Sequence, residues 1–328
     1  MRPFTYTSAT NKEQALKATT KTSHYLAGGT NLVDLMKEDV ERPDQLIDVN
    51  KLDYKKITKN DKGGLTLGAM LSNSETANHP DIRKQYPLLS MAMLSAATAQ
   101  IRNMASNGGN LLQRTRCPYF FETSMPCNKR QPGSGCGALE GMNSLHAIFG
   151  YSDSCIATNP SDMCVALAAL GATVEVEQPV GSSRMIEFTD FHRLPGDKPE
   201  KDTNLEEGEL ITAIHLTEPV FADHYYYLKI RERSSYAFAL ISVAAGLQVK
   251  SGTITKVGLA MGGVAHKPWK LYDSEEFLKG KKPSQSNFEQ AAEIALKDAK
   301  PFEANKWKVD MGKKAIVRAL TQAFEREV

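Results

Sequence analysis

All five cysteines of this 328-residue chain (Cys117, Cys127, Cys136, Cys155 and Cys164) fall in one short stretch. The segment from Arg114 to Cys155 also holds Pro118, Pro126, Pro132 and many glycines, with little apolar periodicity. Irregular loops of that length are uncommon in compact domains unless they are functional or pinned by something. Whatever fold the chain adopts must therefore host a long aperiodic segment and give it a reason to be ordered. Five cysteines are too few for a disulfide-built scaffold, and the number is odd.

Regular patterns flank this segment on both sides. Phe4-Thr5-Tyr6, His24-Tyr25-Leu26 and Leu46-Ile47-Asp48-Val49 read as strands. A helix over 11–20, entered through Ser8, Thr10 and Asn11, and another marked by Leu32, Leu35 and Met36 lie between them, giving a small βαβαβ-like unit. Leu65-Thr66-Leu67-Gly68-Ala69 reads as a strand, and 88–99 is apolar at helical period. Order resumes at Pro160-Ser161-Asp162, where Ser161 or Asp162 caps a helix running to Leu170, followed by a strand at Thr173-Val174-Glu175-Val176. A boundary falls near Pro219 to Asp223. Beyond it, 225–230, 237–249 and 253–261 read as three strands and 288–299 and 311–325 as helices, a small antiparallel sheet backed by helices. The fold class expected is α+β, with domains at 1–220 and 223–328 and a cysteine-rich insertion at about 113–158.

At 41% apolar and 24% charged residues, the chain can bury a real core. A net charge of +2 offers no global field for nucleic acid or acidic membrane, and the run Lys279-Gly280-Lys281-Lys282 reads as solvated loop. No apolar run approaches the roughly eighteen residues a membrane span needs. The start shows neither an apolar signal core nor a twin arginine.

Two glycine turns carry the first chemical signal. In Ala27-Gly28-Gly29-Thr30-Asn31 a strand ends in Gly-Gly and opens a helix. Glycines let the backbone approach a ligand closely, and free amides at a helix start point at an anion such as a pyrophosphate. Alone, such a pair is more often only a tight turn, and the spacing is not Gly-x-Gly-x-x-Gly. A second turn at Gly108-Gly109-Asn110 strengthens the reading, because a dinucleotide needs anchors along its length.

Ala27-Gly28-Gly29-Thr30-Asn31-Leu32, Gly108-Gly109-Asn110-Leu111-Leu112 and Pro160-Ser161-Asp162 follow one another in order. Lys229-Ile230-Arg231-Glu232-Arg233 then leads into Ala237-Phe238-Ala239 and Val243-Ala244-Ala245. Together these motifs resemble the FAD-binding medium subunit of the xanthine dehydrogenase and carbon monoxide dehydrogenase family. The resemblance implies a two-part FAD domain of the vanillyl-alcohol-oxidase (PCMH) type followed by a small α+β domain. It implies that Leu26, Ala27, Gly28, Gly29, Thr30, Asn31 and Leu32 hold the pyrophosphate, and that Gly108, Gly109 and Asn110 line the cleft. Ser161 and Asp162 then sit near the ribityl–ribose portion, with Lys229 towards the isoalloxazine, where a cation would stabilise an anionic reduced flavin. An exposed strand lysine is the competing reading.

In most such relatives the Gly-Gly-Asn-Leu motif runs almost directly into Ser-Asp; here some fifty residues intervene. Cys117, Cys127, Cys136 and Cys155 are separated by nine, eight and eighteen residues. Four thiolates are what a 4Fe–4S cluster requires, and a cluster would order the loop. Structural zinc usually takes ligand pairs two to four residues apart, and no such pair exists here. Two disulfides need an oxidising compartment. Cys164, among Met163, Val165, Ala166 and Leu167, reads as a small buried hydrophobe. His146 is a spare ligand that four thiols make unnecessary. The strings around Cys117 and Cys127 resemble the FAD subunit of bacterial molybdenum aldehyde oxidoreductases with an added cluster.

The resemblance implies an electron-transfer subunit, and the sequence shows no obvious catalytic acid–base pair. Its partners would be a large molybdenum-cofactor subunit and a small 2Fe–2S subunit. Aldehydes are the expected substrates of the complex, with purines or other N-heterocycles next. A standalone flavoprotein with a structural zinc site is the rival. Location stays open between the cytoplasm and a periplasm reached by co-export with a signal-bearing partner.

Overall fold

The computed structural model describes residues 1–326. Its first unit is a three-stranded parallel sheet of β1 (Thr5–Ser8), β2 (Ser23–Leu26) and β3 (Gln45–Asp48), with β3 in the middle. Parallel neighbours need crossovers, which the short helices Lys12–Lys17 and Leu32–Lys37 provide. Asn11 caps the first by accepting from Gln14 N. Ala15 and Leu16 turn inward onto Ile47 and Val49.

A five-stranded antiparallel sheet follows, from β4 (Ile57–Lys59), β5 (Leu65–Gly68), β6 (Thr173–Glu177), β7 (Ser183–Glu187) and β8 (Leu210–His215), in the order β4-β5-β8-β6-β7. Leu65, Leu67, Val174 and Val176, at the two-residue strand period, share one buried cluster with Ile211, Ile214 and the helix Asp162–Leu170. Ile211 and Ile214 are three apart because the β6–β8 register shifts. That helix is buried at every position, which explains its apolar composition and absence of a polar face.

The last unit is antiparallel and has four strands where the sequence suggests three. They are β9 (His224–Ile230), β10 (Ile241–Lys250), β11 (Thr253–Gly262) and a two-residue β12 (Trp269–Lys270) on the edge. Ile241, Val243, Ala245 and Leu247 pack under the helices Gln285–Leu296 and Trp307–Glu325. The opposite face is stripped of bulk. A Cβ on Gly258 would lie 2.5 Å from the Ala169 carbonyl oxygen, and one on Gly262 would lie 2.6 Å from Val165 Cγ2. The helix Asp162–Leu170 therefore lies directly on this sheet and joins the two domains.

Two boundaries move for local reasons. The helix expected over 88–99 spans Pro87–Ser95, stops where Ala96 is extended and Ala97 takes φ 43°, and restarts as Ala99–Met104 with Thr98 accepting from Ile101 N. The strand expected from 237 begins at Ile241, because residues 231–240 form a loop in which Tyr236 has φ 49°. The insertion contains one turn of helix, Pro118–Phe121, and otherwise turns. Its small apolar centre, Phe120 with Cys127, packs against Leu35 and Val40.

Candidate functional site

β2 delivers the first glycine loop to the start of the helix Leu32–Lys37. Gly29 needs its glycine for φ 71°. Gly28 needs it for space, since a Cβ there would sit 1.8 Å from the Met104 carbonyl oxygen. Among the described residues, the N–H groups of Gly28, Gly29, Thr30, Asn31 and Leu32 donate to no backbone acceptor. Asn31 makes no cap bond to its helix. Its Oδ1 accepts from Arg114 N at 3.0 Å, and its Nδ2 is buried with no partner. A run of free amides beside an orphaned donor has the chemistry that an anion would complement.

The second glycine turn is built differently. Gly108 and Gly109 lie within a helical turn, Asn107–Leu111, capped by Ser106. Gly108 N donates to Ala69 O at 2.8 Å, and Gly109 N to Ser106 Oγ at 3.1 Å. These amides are engaged, so this turn does not offer the free anion cradle that the first one does. It presents Asn110, whose Nδ2 donates to Asn73 Oδ1 at 2.6 Å while its Oδ1 accepts from Ser161 Oγ at 2.6 Å and from Gln113 Nε2 at 2.8 Å.

Ser161 also caps the helix Asp162–Leu170 through Cys164 N. Asp162, the first helical residue, accepts from Lys229 Nζ at 2.8 Å and from Tyr227 OH at 2.7 Å. Burial lifts this carboxyl above its ordinary range despite both donors. Lys229 donates as well to Ser95 O at 3.1 Å, and its side chain is 4% exposed. It is therefore neither the exposed strand lysine of one reading nor the free cation of the other: it reaches the site already neutralised by Asp162. Cys164 is fully buried within the helix, as its neighbours implied.

Leu26 through Leu32, Gly108 to Asn110, Ser161, Asp162 and Lys229 all line one cleft of about 1200 Å³. That exceeds the roughly 300–1,000 Å³ of ordinary small-molecule pockets and suits an elongated dinucleotide. Three donors on its wall, Asn31 Nδ2, Arg102 Nε and Arg116 Nη1, are buried without protein partners. The 231–240 loop closes one side, where the Arg116 guanidinium lies 5.1 Å from the Phe238 ring centroid and 5.9 Å from that of Phe121. Arg116 and Phe238 lie within sequence strings that carry the resemblance, but no role attaches to them there; their place on the cleft reveals it.

The four cysteines Cys117, Cys127, Cys136 and Cys155 line a second, small cavity together with His146. Cys127 and Cys136 are direct antiparallel partners in an isolated bridge, and none of the five cysteines is in a disulfide. Among the described residues no group of three or more His, Cys, Asp or Glu side chains is gathered closely enough to hold a metal ion. The thiols thus face one space without closing around a single-ion centre. Burial pushes the Cys117 thiol up to about 12 and that of Cys155 up to about 11, so ligation of a metal would release their protons.

Ion pairs hold the insertion in place. Arg114 Nε meets Asp202 Oδ2 at 2.8 Å, and its Nη1 pairs with Glu41. Lys129 Nζ, 1% exposed, meets Asp202 Oδ1 at 2.5 Å and Pro199 O at 2.6 Å. Burial alone would raise the Asp202 carboxyl, but Arg114, Lys129 and His266 hold it well below the usual range. His266 is a packed residue here, bonded through Nδ1 to Arg193 O at 2.8 Å.

A dinucleotide-sized cleft with an anion-ready glycine loop, roofed by an antiparallel second domain, defines a two-domain nucleotide-cofactor protein. The family model described as the FAD binding domain in molybdopterin dehydrogenase matches residues 2–219, and that of the CO dehydrogenase flavoprotein C-terminal domain matches residues 226–327. The chain belongs to the FAD-binding subunits of the molybdenum hydroxylase family, and is a subunit of an oxidoreductase. It is 44% identical over 326 residues to the aldehyde oxidoreductase FAD-binding subunit PaoB of Escherichia coli, covering 98% of this chain and 99% of that one. The glyceraldehyde dehydrogenase medium chain of Sulfolobus acidocaldarius is 27% identical over 85% of this chain and 82% of its own length. In three dimensions the chain resembles a chain of the reconstituted CO dehydrogenase from Oligotropha carboxidovorans, with a TM-score of 0.78, 21% identity and full coverage of both.

Proposed function

We propose that this chain is the electron-transfer subunit of a heterotrimeric aldehyde-oxidising molybdenum hydroxylase. Electrons leaving molybdenum in a large partner and 2Fe–2S clusters in a small one would reach an external acceptor through its cleft. FAD, when bound, exchanges electrons singly or as a pair, which suits that junction. The observation that carries the reading is the convergence of both glycine motifs, Ser161, Asp162 and Lys229 on one cleft with three orphaned donors. Gly28 keeps the loop close to the Met104 backbone, the amides from Gly28 to Leu32 and Asn31 Nδ2 meet the pyrophosphate, and Asn110 orients polar groups along the cleft. The Asp162–Lys229 pair presents a dipole rather than a net charge, which leaves the flavin's charge balance to other groups. Both relatives described above are named for aldehyde substrates, which favours aldehydes over N-heterocycles.

Cys117, Cys127, Cys136 and Cys155 are the proposed ligands of an additional 4Fe–4S cluster. The cavity that all four thiols line together supports this. The test is the purified three-subunit complex, assayed for flavin, iron, acid-labile sulfide and zinc, with turnover on aldehydes and on xanthine. Flavin together with iron beyond that of the small partner, and aldehyde turnover, is the expected result. Flavin without the extra iron removes the cluster and leaves the subunit reading. A colourless zinc-loaded chain overturns both, and a preference for xanthine moves the substrate to N-heterocycles.

A further inference from the structure

Thr115, Cys117 and His146 line both the large cleft and the cysteine cavity, so they form the wall between them. Within that wall, His146 Nε2 lies 3.1 Å from Cys117 Sγ. The imidazole is 4% exposed, and its Nδ1 is buried with no partner. A neutral ring carries one proton, and of its two nitrogens Nε2 has a hydrogen-bond partner in Cys117 while Nδ1 makes no hydrogen bond.

The position of this ring is not left to the irregular loop that carries it. Lys308, fully buried at the start of the last helix, donates from Nζ to the carbonyls of His146 at 2.8 Å, Leu145 at 2.9 Å and Gly263 at 2.7 Å. Asn305 Nδ2 adds a donor to the same His146 carbonyl at 3.2 Å. Burial lowers the Lys308 ammonium pKa to about 7, and a buried ammonium is expensive unless all its protons find acceptors. Here two of its three acceptors are consecutive residues of the insertion, so the C-terminal domain grips the loop at the residue that meets Cys117.

We propose that His146 is a positioning residue that donates its Nε2–H to the Cys117 sulfur, and that Lys308 fixes it for that purpose. This rests on the reading that the four cysteines hold a 4Fe–4S cluster. Hydrogen bonds to cluster sulfurs help set the reduction potential. A donor to a thiolate ligand favours the reduced, more negative state, and this one sits where the two sites share a wall.

The experiment uses the intact complex with His146→Leu, which removes the donor, and His146→Gln, which restores an N–H at similar reach. Iron and sulfide content, an EPR-monitored potential titration and pulsed-EPR nitrogen couplings are measured on each. His146→Leu is expected to keep its iron while the reduced-to-oxidised ratio at fixed potential falls about tenfold, 59 mV for a one-electron centre. His146→Gln is expected to recover most of that shift. An unchanged potential in His146→Leu overturns the proposal, as does a strong directly bonded nitrogen coupling in the wild type, which would make His146 a ligand. Should His146→Leu lose its iron, a near-native potential in His146→Gln supports the proposal and a shifted one overturns it. Wild-type complex without the extra iron overturns the cluster reading and this inference with it, whereas iron with unmoved potentials overturns only the inference.

Discussion

Gly28→Ala isolates the contact that shapes the glycine loop. A Cβ at this position would stand 1.8 Å from the Met104 carbonyl oxygen, 2.6 Å from its carbon and 3.2 Å from Ala105 Cα. All three are backbone atoms, so no rotamer change relieves the overlap, and the oxygen contact must lengthen by roughly 1.5 Å to become ordinary. The opposing chain cannot easily withdraw. Ala105 N is bonded to Ile101 O at 2.8 Å, and Ala105 O accepts from Asn73 N at 2.8 Å. Overpacking of this kind costs about 1–3 kcal/mol. If the loop opens into the cleft, the FAD dissociation constant rises about 5- to 150-fold. Gly29→Ala is the control: it strains a φ of 71°, at a cost of about 1–2 kcal/mol, but meets only the Val33 and Leu26 side chains. It should lower stability with a smaller effect on affinity. Flavin-fluorescence titration of the FAD-stripped complex, paired with its thermal midpoint, measures both terms. Gly28→Ala binding FAD within twofold of wild type, with an unmoved midpoint, would refute the steric argument.

Three further perturbations have worked outcomes. Lys229→Met leaves the Asp162 carboxylate buried without its partner and should cost about 3–5 kcal/mol in denaturant unfolding; Lys229→Met/Asp162→Asn should recover most of it, and additive losses would show that the two do not act as a pair. Ser161→Ala removes the cap on Cys164 N and the bond to Asn110, lowering stability by about 1 kcal/mol and weakening FAD binding as well. Asp202 has a folded-state pKa held below its unfolded value, so its stabilisation is complete above the unfolded carboxylate pKa of about 3.9 and is lost as pH falls below that. Asp202→Asn should flatten the acid limb of a stability-versus-pH curve measured from pH 5 downward, and an unchanged slope would count against the pairing.

Sequence patterns reveal the parts of this protein whose signals are local. A strand-glycine-helix junction, a Ser-Asp helix start and alternating apolar strands declare themselves within a few residues, and the structure carries each of them. The edge strand Trp269–Lys270 escapes because two residues hold no period. Pairings between distant side chains leave no local trace either. Asp162 and Lys229 were both legible as cleft residues, but 67 positions separate them, so their mutual neutralisation was not. Asp202 lies in an irregular stretch and meets Arg114 and Lys129 from 88 and 73 positions away. Lys308 looks like any helical lysine until its burial shows that the helix points it into the insertion. The second glycine turn shows the opposite limit: a pattern that fits phosphate cradling can instead serve a capped helical turn whose amides are already engaged.

The Ser161–Asn110 hydrogen bond spans 51 positions at 2.6 Å, so the insertion leaves the FAD cleft and returns to it at nearly the same point. In evolutionary terms it is a cassette with a closed neck. Long loops add little closure entropy for their length, but this one also supplies Thr115, Arg116, Cys117 and His146 to the cleft wall, so its loss would reshape the cleft. Several residues outside the cassette register its presence: Glu41 and Asp202 through ion pairs with Arg114 and Lys129, Asn305 and Lys308 through its carbonyls. Lys308 takes two of its three acceptors from it, so a relative that sheds the insertion is left with a stranded buried ammonium. In such a chain an apolar side chain at position 308 would be the less costly occupant of that buried site.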